Sequence, residues 1–230
     1  MSTMSTGRRA GLSPELIVEG ALQLAETKGI DGWSVRDVAQ RLGVVPSVIY
    51  HYYPNKEALC DAVVDRACSE IRLPDDSLRW NEWWKNMALT IRPVLLRYVG
   101  ITDRLARGKF TSAFLPMVDS GMNKLFEAGF SKNTPLVYSI LVNTIIHAIG
   151  ARNLRSERQQ HNRHDMGEML QRFAGLKGES VALNYMVDNF FEPLSRADHE
   201  DEISQKYYET VIDVVLTGIE EVFLSSRGRH

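Results

Sequence analysis

Cysteine is scarce in this chain: Cys60 and Cys68 are the only two in 230 residues. If both lie on one helix they are separated by about 12 Å of rise, beyond disulfide reach, so they read as reduced thiols and exclude a disulfide-stapled fold. Long hydrophobic runs are missing as well. No stretch of about 18 apolar residues occurs, and Met1 to Gly11 carries Arg8 and Arg9 without an apolar segment of signal-peptide type, so no membrane span is expected and the cytoplasm is the expected location. Nor does charge of one sign accumulate. The net charge is −2, and residues 1–60 hold six Lys/Arg against six Asp/Glu, which excludes a generally basic domain. Glycine-rich phosphate loops, nucleophile motifs and metal-ligand clusters are lacking, which disfavours an enzyme and leaves no cofactor or metal to expect. His161, His164 and Asp165 come nearest to a metal set, but no third spaced ligand flanks them and a solvated loop is the better reading.

What remains is an ordinary globular composition, 44% hydrophobic, arranged mostly at helical spacing. Residues 1–12 read as a flexible arm. Ser13-Pro14-Glu15 then supplies an N-cap, a first-turn proline and a first-turn acid, and Ile17, Ala21, Leu24 and Ala25 repeat until Gly29, predicting a helix over 14–28. Residues 56–71 place Leu59, Val63, Ala67 and Ile71 on one stripe that Pro74 ends. Trp80, Trp83, Trp84, Met87, Ile91, Val94, Leu95 and Tyr98 make a longer stripe with a kink expected at Pro93, and shorter helices are expected over 101–107 and 111–128. Residues 135–152 are apolar almost all round, which predicts burial on most sides. Ile203, Tyr207, Val211, Val214, Val215, Ile219, Val222 and Phe223 form the last stripe. Two such helices suggest a four-helix interface between two copies of the chain, a monomeric core being the alternative. Residues 153–201, rich in charge and amide, read as a long connection with one or two helices, of the kind that gates a pocket.

The chain is organised around residues 33–59. Val35, Val38, Ala39 and Leu42 form one helical face, with Ser34 as N-cap and Asp37 three residues later; Gly43 then suits a left-handed C-terminal position, and Val44 returns to the core. From Pro46 a second short helix points Ile49 inward and leaves Pro46, Ser47, Val48 and His51 outward. This is a helix-turn-helix pattern. The run Leu42-Gly43-Val44 followed by Ile49-Tyr50-His51-Tyr52-Tyr53-Pro54-Asn55-Lys56-Glu57-Ala58-Leu59 resembles the signature of TetR-family transcriptional repressors. The resemblance implies an all-α fold, with an N-terminal three-helix DNA-binding domain (residues 1–55) and a larger helical effector-binding and dimerisation domain (residues 56–230).

By position, the resemblance also implies DNA contacts. Arg36 matches a place where a cation reaches a base edge, a solvated arginine being the alternative. Val45, Pro46, Val48 and His51 match base-facing positions, whereas Ser34, Ser47, Tyr50, Tyr52 and Lys56 match phosphate-clamping ones, with Tyr50 equally suited to the core. Val45 and Pro46 leave few donors at the front of the recognition helix, so selectivity is expected to rest on Arg36, His51 and DNA shape.

The same resemblance implies a homodimer on double-stranded, palindromic operator DNA, released by a small-molecule effector, with no membrane partner. Met122 to Gly129-Phe130-Ser131 further resembles the tetracycline-sensing branch. Ungapped placement, however, puts that branch's metal-binding histidine near Leu105 or Ala106 and its glutamate near Arg152 or Leu154, so neither ligand is kept and magnesium-tetracycline sensing is not expected. Trp84, Met87, Ile91, Met117, Gly121, Met122, Ile146 and His147 are the candidate pocket lining, an apolar and aromatic set suited to a hydrophobic or planar ligand; the same stripe is equally the pattern of core packing. His147 either orients a ligand's polar group or bonds a neighbouring carbonyl. An all-helical enzyme and a dimeric interaction module without DNA binding are the competing readings.

Overall fold

The computed structural model describes residues 12–155, 166–176, 178–195 and 200–225, and among these there is no strand. The first helix, α1 (Pro14–Lys28), starts where Ser13 Oγ accepts the Leu16 N–H at 3.3 Å, and it buries Ile17, Ala21 and Ala25 completely. The next two are α2 (Val35–Leu42) and α3 (Pro46–Tyr52). Asn55 caps α4 (Lys56–Cys68), which lies against α1 and closes the N-terminal bundle with Leu59 and Val63 fully buried. The sequence pattern carried this helix on to residue 71, but it ends at Cys68. Glu70 is drawn to Arg97 (2.9 Å) and to the Tyr98 hydroxyl (3.2 Å), a tertiary pull that outweighs local periodicity.

Beyond it, α5 (Trp80–Arg97) continues unbroken through Pro93. Gly100, at φ 103°, turns the chain into α6 (Ile101–Ala106); a 3-10 turn (Ser112–Phe114) then leads into α7 (Leu115–Glu127) and α8 (Thr134–Asn153). By length and composition α8 is apolar enough to cross a membrane, yet it packs against α5, α6, α7 and the last helix, α12 (Glu200–Phe223), as the central helix of the second bundle. Between them lie α9 (Met166–Ala174), α10 (Val181–Met186), a π-helical turn (Val187–Phe191) and α11 (Glu192–Ser195).

The expectation that α8 is buried on most sides does not hold within one chain. Leu136, Ser139, Asn143 and His147 form an exposed stripe along it, and on α12 Tyr207, Thr210, Val214, Thr217 and Glu221 do the same. An apolar helix gives no periodic signal of which face stays open, because that is decided by the neighbours that pack on it.

The two bundles share one continuous core and are tied by the main chain, where the Ile30 N–H donates to the Val99 carbonyl at 2.8 Å. Cys60 and Cys68 are buried as free thiols, and Cys60 Sγ faces the Ile30 carbonyl at 3.6 Å.

Candidate nucleic-acid interface and ligand cavity

Local sequence builds the helix-turn-helix. Ser34 Oγ accepts the Asp37 N–H at 3.2 Å while Asp37 Oδ2 accepts the Ser34 N–H at 2.7 Å, a complete capping box. Gly43 sits in the left-handed region (φ 66°, ψ 31°), and the Val44 N–H reaches back to the Ala39 carbonyl at 3.0 Å, the bond that closes a Schellman end. On α3 the single fully buried side chain is Ile49. Val45, Ser47, Tyr50 and His51 are exposed around it, and Pro46 and Val48 are half-buried. Seven residues held by one buried anchor leave most of this helix free to enter a groove.

Arg36 is exposed on α2 and makes no ion pair or side-chain hydrogen bond among the described residues. The residues assigned to phosphate differ more. Ser34 has its hydroxyl engaged in the capping box, and Tyr52 donates its hydroxyl to the Leu12 carbonyl at 2.9 Å. Lys56 is half-buried: Nζ donates to the Asp31 carbonyl at 2.7 Å and lies 5.2 Å from the centre of the Trp33 ring. The ammonium keeps two further donors, but its first partner is the loop between α1 and α2. Ser47 and Tyr50 stand exposed, so Tyr50 is not core.

In the second bundle a cavity with about 570 Å³ of non-protein space, part of it open to solvent, lies between α5, α6, α7 and α8. Trp84, Met87 and Ile91 line it from α5, Leu105 from α6, Phe110 and Phe114 from the connection, Met117 and Val118 from α7, and Tyr138, Val142, Ile145 and Ile146 from α8. Five of the expected lining residues, Trp84, Met87, Ile91, Met117 and Ile146, therefore meet there. Gly121 backs it: a β-carbon at this position would lie 2.8 Å from Cζ2 of Trp84, so only glycine lets α7 approach the indole. Met122 and His147 do not line it. His147 follows the cavity-lining Ile146 by one position, about 100° further round its helix, and Met122 lies a turn beyond the lining Met117 and Val118. His147 is exposed, with Nδ1 2.8 Å from the Asn143 carbonyl. Leu105, Phe110, Phe114, Val118, Tyr138, Val142 and Ile145 escaped the sequence reading. On α8 the step Tyr138, Val142, Ile145 was visible, but an all-apolar helix offers several such faces. None of the described residues of α9 to α11 lines the cavity, against the expectation of a gate there.

The same short connection that borders the cavity also grips the N-terminal bundle. Arg104, 2% exposed, bonds Glu57 Oε1 at 2.7 Å, Asp61 Oδ1 at 2.8 Å and Asp31 Oδ1 at 3.2 Å, and Lys109 Nζ bonds Glu57 Oε1 at 2.7 Å. Their neighbours in sequence, Leu105 and Phe110, face the cavity. Lys109's hydrogen bond, then Arg104's, hold the Glu57 carboxyl below the ordinary carboxylate range, against the opposing effect of burial. A lowered folded-state pKa means that this stabilisation is complete above the unfolded value, about 4.3, and is lost as pH falls through the folded one. Thermal melts taken below about pH 5 should accordingly lose stability in the wild type, and Glu57→Gln should flatten that part of the profile. An unchanged acid limb in the variant would show that Glu57 contributes nothing to it.

The architecture is thus a helix-turn-helix unit with an exposed second helix, pinned to an all-helical domain that holds an apolar cavity. Residues 17–63 match the family model described as "Bacterial regulatory proteins, tetR family", so the helix-turn-helix region of the chain is similar to that family's. It is 35% identical over 92 residues to the tetracycline repressor protein class D of Escherichia coli, which covers 39% of this chain and 42% of that protein, so the chain spans under half the length of this curated relative. Among solved structures, the Streptomyces coelicolor TetR-family protein ActR in complex with actinorhodin superposes with a TM-score of 0.66 at 21% identity, covering 91% of this chain and 99% of that one. BioQ with its double-stranded DNA operator superposes with a TM-score of 0.57 at 21% identity, over 64% and 91% respectively. Both show the same fold.

Proposed function

We propose that the chain is a cytoplasmic transcriptional repressor that binds a palindromic operator as a homodimer and is released when a small apolar or planar effector fills the cavity. The observation that carries this reading is the connection from Arg104 to Phe110, which holds α4 and the α1–α2 loop on one side and borders the cavity on the other. An effector that displaces Leu105 or Phe110 shifts the partners of Arg104 and Lys109, and so the seat of the recognition helix; a ligand acts on this equilibrium only through such differential contact. Relatives whose names describe a tetracycline repressor and an operator complex support the DNA-binding half of the reading. In this reading residues 1–55 read DNA and residues 56–230 bind effector and dimerise, with α4 as the element between them.

The exposed stripes on α8 and α12 support a dimer, since two helices from each copy would bury Leu136, Tyr207 and Val214 together. The proposed DNA contacts divide by exposure. Arg36 and His51 are free to reach base edges and Val45, Pro46 and Val48 to touch thymine methyls, while Ser47 and Tyr50 are placed for phosphate. Ser34, Tyr52 and Lys56 hold the motif's shape and approach phosphate only with their remaining donors.

The test is selection of duplexes from a random library on immobilised protein, followed by anisotropy titration of the enriched site. A palindrome is expected, with affinity falling steeply with salt. Arg36→Ala should weaken binding about tenfold to a hundredfold, the scale of one base contact, with no change in melting temperature or dimerisation. If no duplex is enriched, the chain is a helical interaction module instead.

A further inference from the structure

We propose that the occupant of the cavity is a neutral, planar aromatic molecule with one carbonyl-type acceptor, which takes the hydrogen bond that the Trp84 indole N–H lacks, and that it binds without a metal ion. This rests on the effector reading above only in treating the cavity as the effector site. Trp84 lines the cavity, is 3% exposed, and its Nε1–H is buried with no protein partner. A buried donor left unpaired destabilises the empty site, and an acceptor brought in by a ligand removes that penalty. Trp33 also buries an unpartnered indole N–H, but it packs beneath Lys56 in the N-terminal bundle. The Trp84 donor, unlike that of Trp33, therefore belongs to a residue of the cavity wall.

The remaining lining sets the rest of the ligand. Trp84 and Tyr138 meet edge to face at 5.6 Å and 75°, and Phe110 and Phe114 at 6.4 Å and 89°, so aromatic surface is offered from several sides. None of the lining side chains is charged, and Tyr138, its pKa raised by burial and then by Asp119, stays a neutral phenol at neutral pH. An anionic ligand would enter with no counter-charge among the lining residues and lose its hydration. The lining carries no His, Cys, Asp or Glu, and no group of three such residues able to hold a metal occurs among the described residues, so a chelate would find no protein ligand.

Three matched probes test this: 9-fluorenone with one carbonyl, fluorene with none, and 9-fluorenone-2-carboxylate with an added charge. Calorimetric titration of the full-length protein should show fluorenone binding at least about tenfold tighter than fluorene and the carboxylate, with no effect of a chelator. Trp84→Phe should bring the fluorenone-to-fluorene ratio to about one while fluorene binding persists. In wild-type protein labelled at the indole nitrogens, the Trp84 N–H resonance, assigned through its proximity to Tyr138, should move downfield with fluorenone and stay with fluorene; this measurement needs no substitution. A ratio that survives Trp84→Phe, equal binding of all three probes, or an unmoved indole signal with fluorenone bound would overturn the proposal. Binding of fluorenone as expected with the operator still held would leave the ligand chemistry standing and remove the effector-release reading. Operator binding with no affinity for any probe would do the reverse.

Discussion

Gly121→Val is expected, if the chain is the effector-released repressor proposed above, to weaken effector binding more than about a hundredfold and to leave the operator bound when effector is added. A β-carbon there would sit 2.8 Å from Cζ2 and 3.1 Å from Cη2 of Trp84 and 3.4 Å from Tyr138, so the indole has to give way. Trp84 is already packed on Trp83 and Tyr138, and the open side is the cavity. The displaced ring would fill the space proposed for the ligand. Overpacking of this kind costs about 1–3 kcal/mol of stability, within the tolerance of most domains. Anisotropy on the selected operator, with and without effector, reads the result: affinity like wild type without effector, and no release with it. Normal release by the variant would mean that the effector binds elsewhere.

Arg104→Met should separate sensing from response. The guanidinium is buried, but its three carboxylate partners are roughly half exposed, so the penalty for stranding them is screened and about 2 kcal/mol is a fair expectation. In a chain of this length that lowers the melting temperature by about 4–8 °C. Effector affinity should stay near wild type, because methionine leaves the cavity wall at Leu105 and Phe110 in place, while saturating effector should shift operator affinity far less than in wild type. Arg104→Lys is expected to fall between, since one ammonium cannot reproduce a planar fork that serves three acceptors. If the methionine variant is released normally, coupling runs through other contacts, such as the Ile30–Val99 main-chain bond.

These expectations come from different depths of the sequence. The helix-turn-helix was legible residue by residue because its determinants are local: a capping serine, an acid three residues on, and a glycine that tolerates positive φ. Part of the cavity was legible too, because Trp84, Met87 and Ile91 repeat along a helix whose other face is marked by polar residues. The pattern failed where polarity gave no contrast or where tertiary contacts decided. Tyr138, Val142 and Ile145 are hidden in an all-apolar helix, and Phe110 belongs to no periodic stretch at all. Lys56 matches the family signature, but the signature does not reveal that its ammonium turns first to the Asp31 carbonyl. Arg104 had no local mark, since its three partners come from elements 43 to 73 residues away. His161, His164, Asp165 and the N-terminal arm up to residue 11 lie outside the described residues.

The two sulfhydryls have a practical corollary. Burial pushes the Cys60 thiol up to about 11 and Cys68 up to about 12, and an alkylating reagent needs the thiolate. The folded protein is therefore close to silent toward maleimides at neutral pH without any engineering. A single cysteine added at exposed Val45 would take a dye or spin label alone, so the distance between recognition helices in the proposed dimer becomes measurable in the otherwise native sequence.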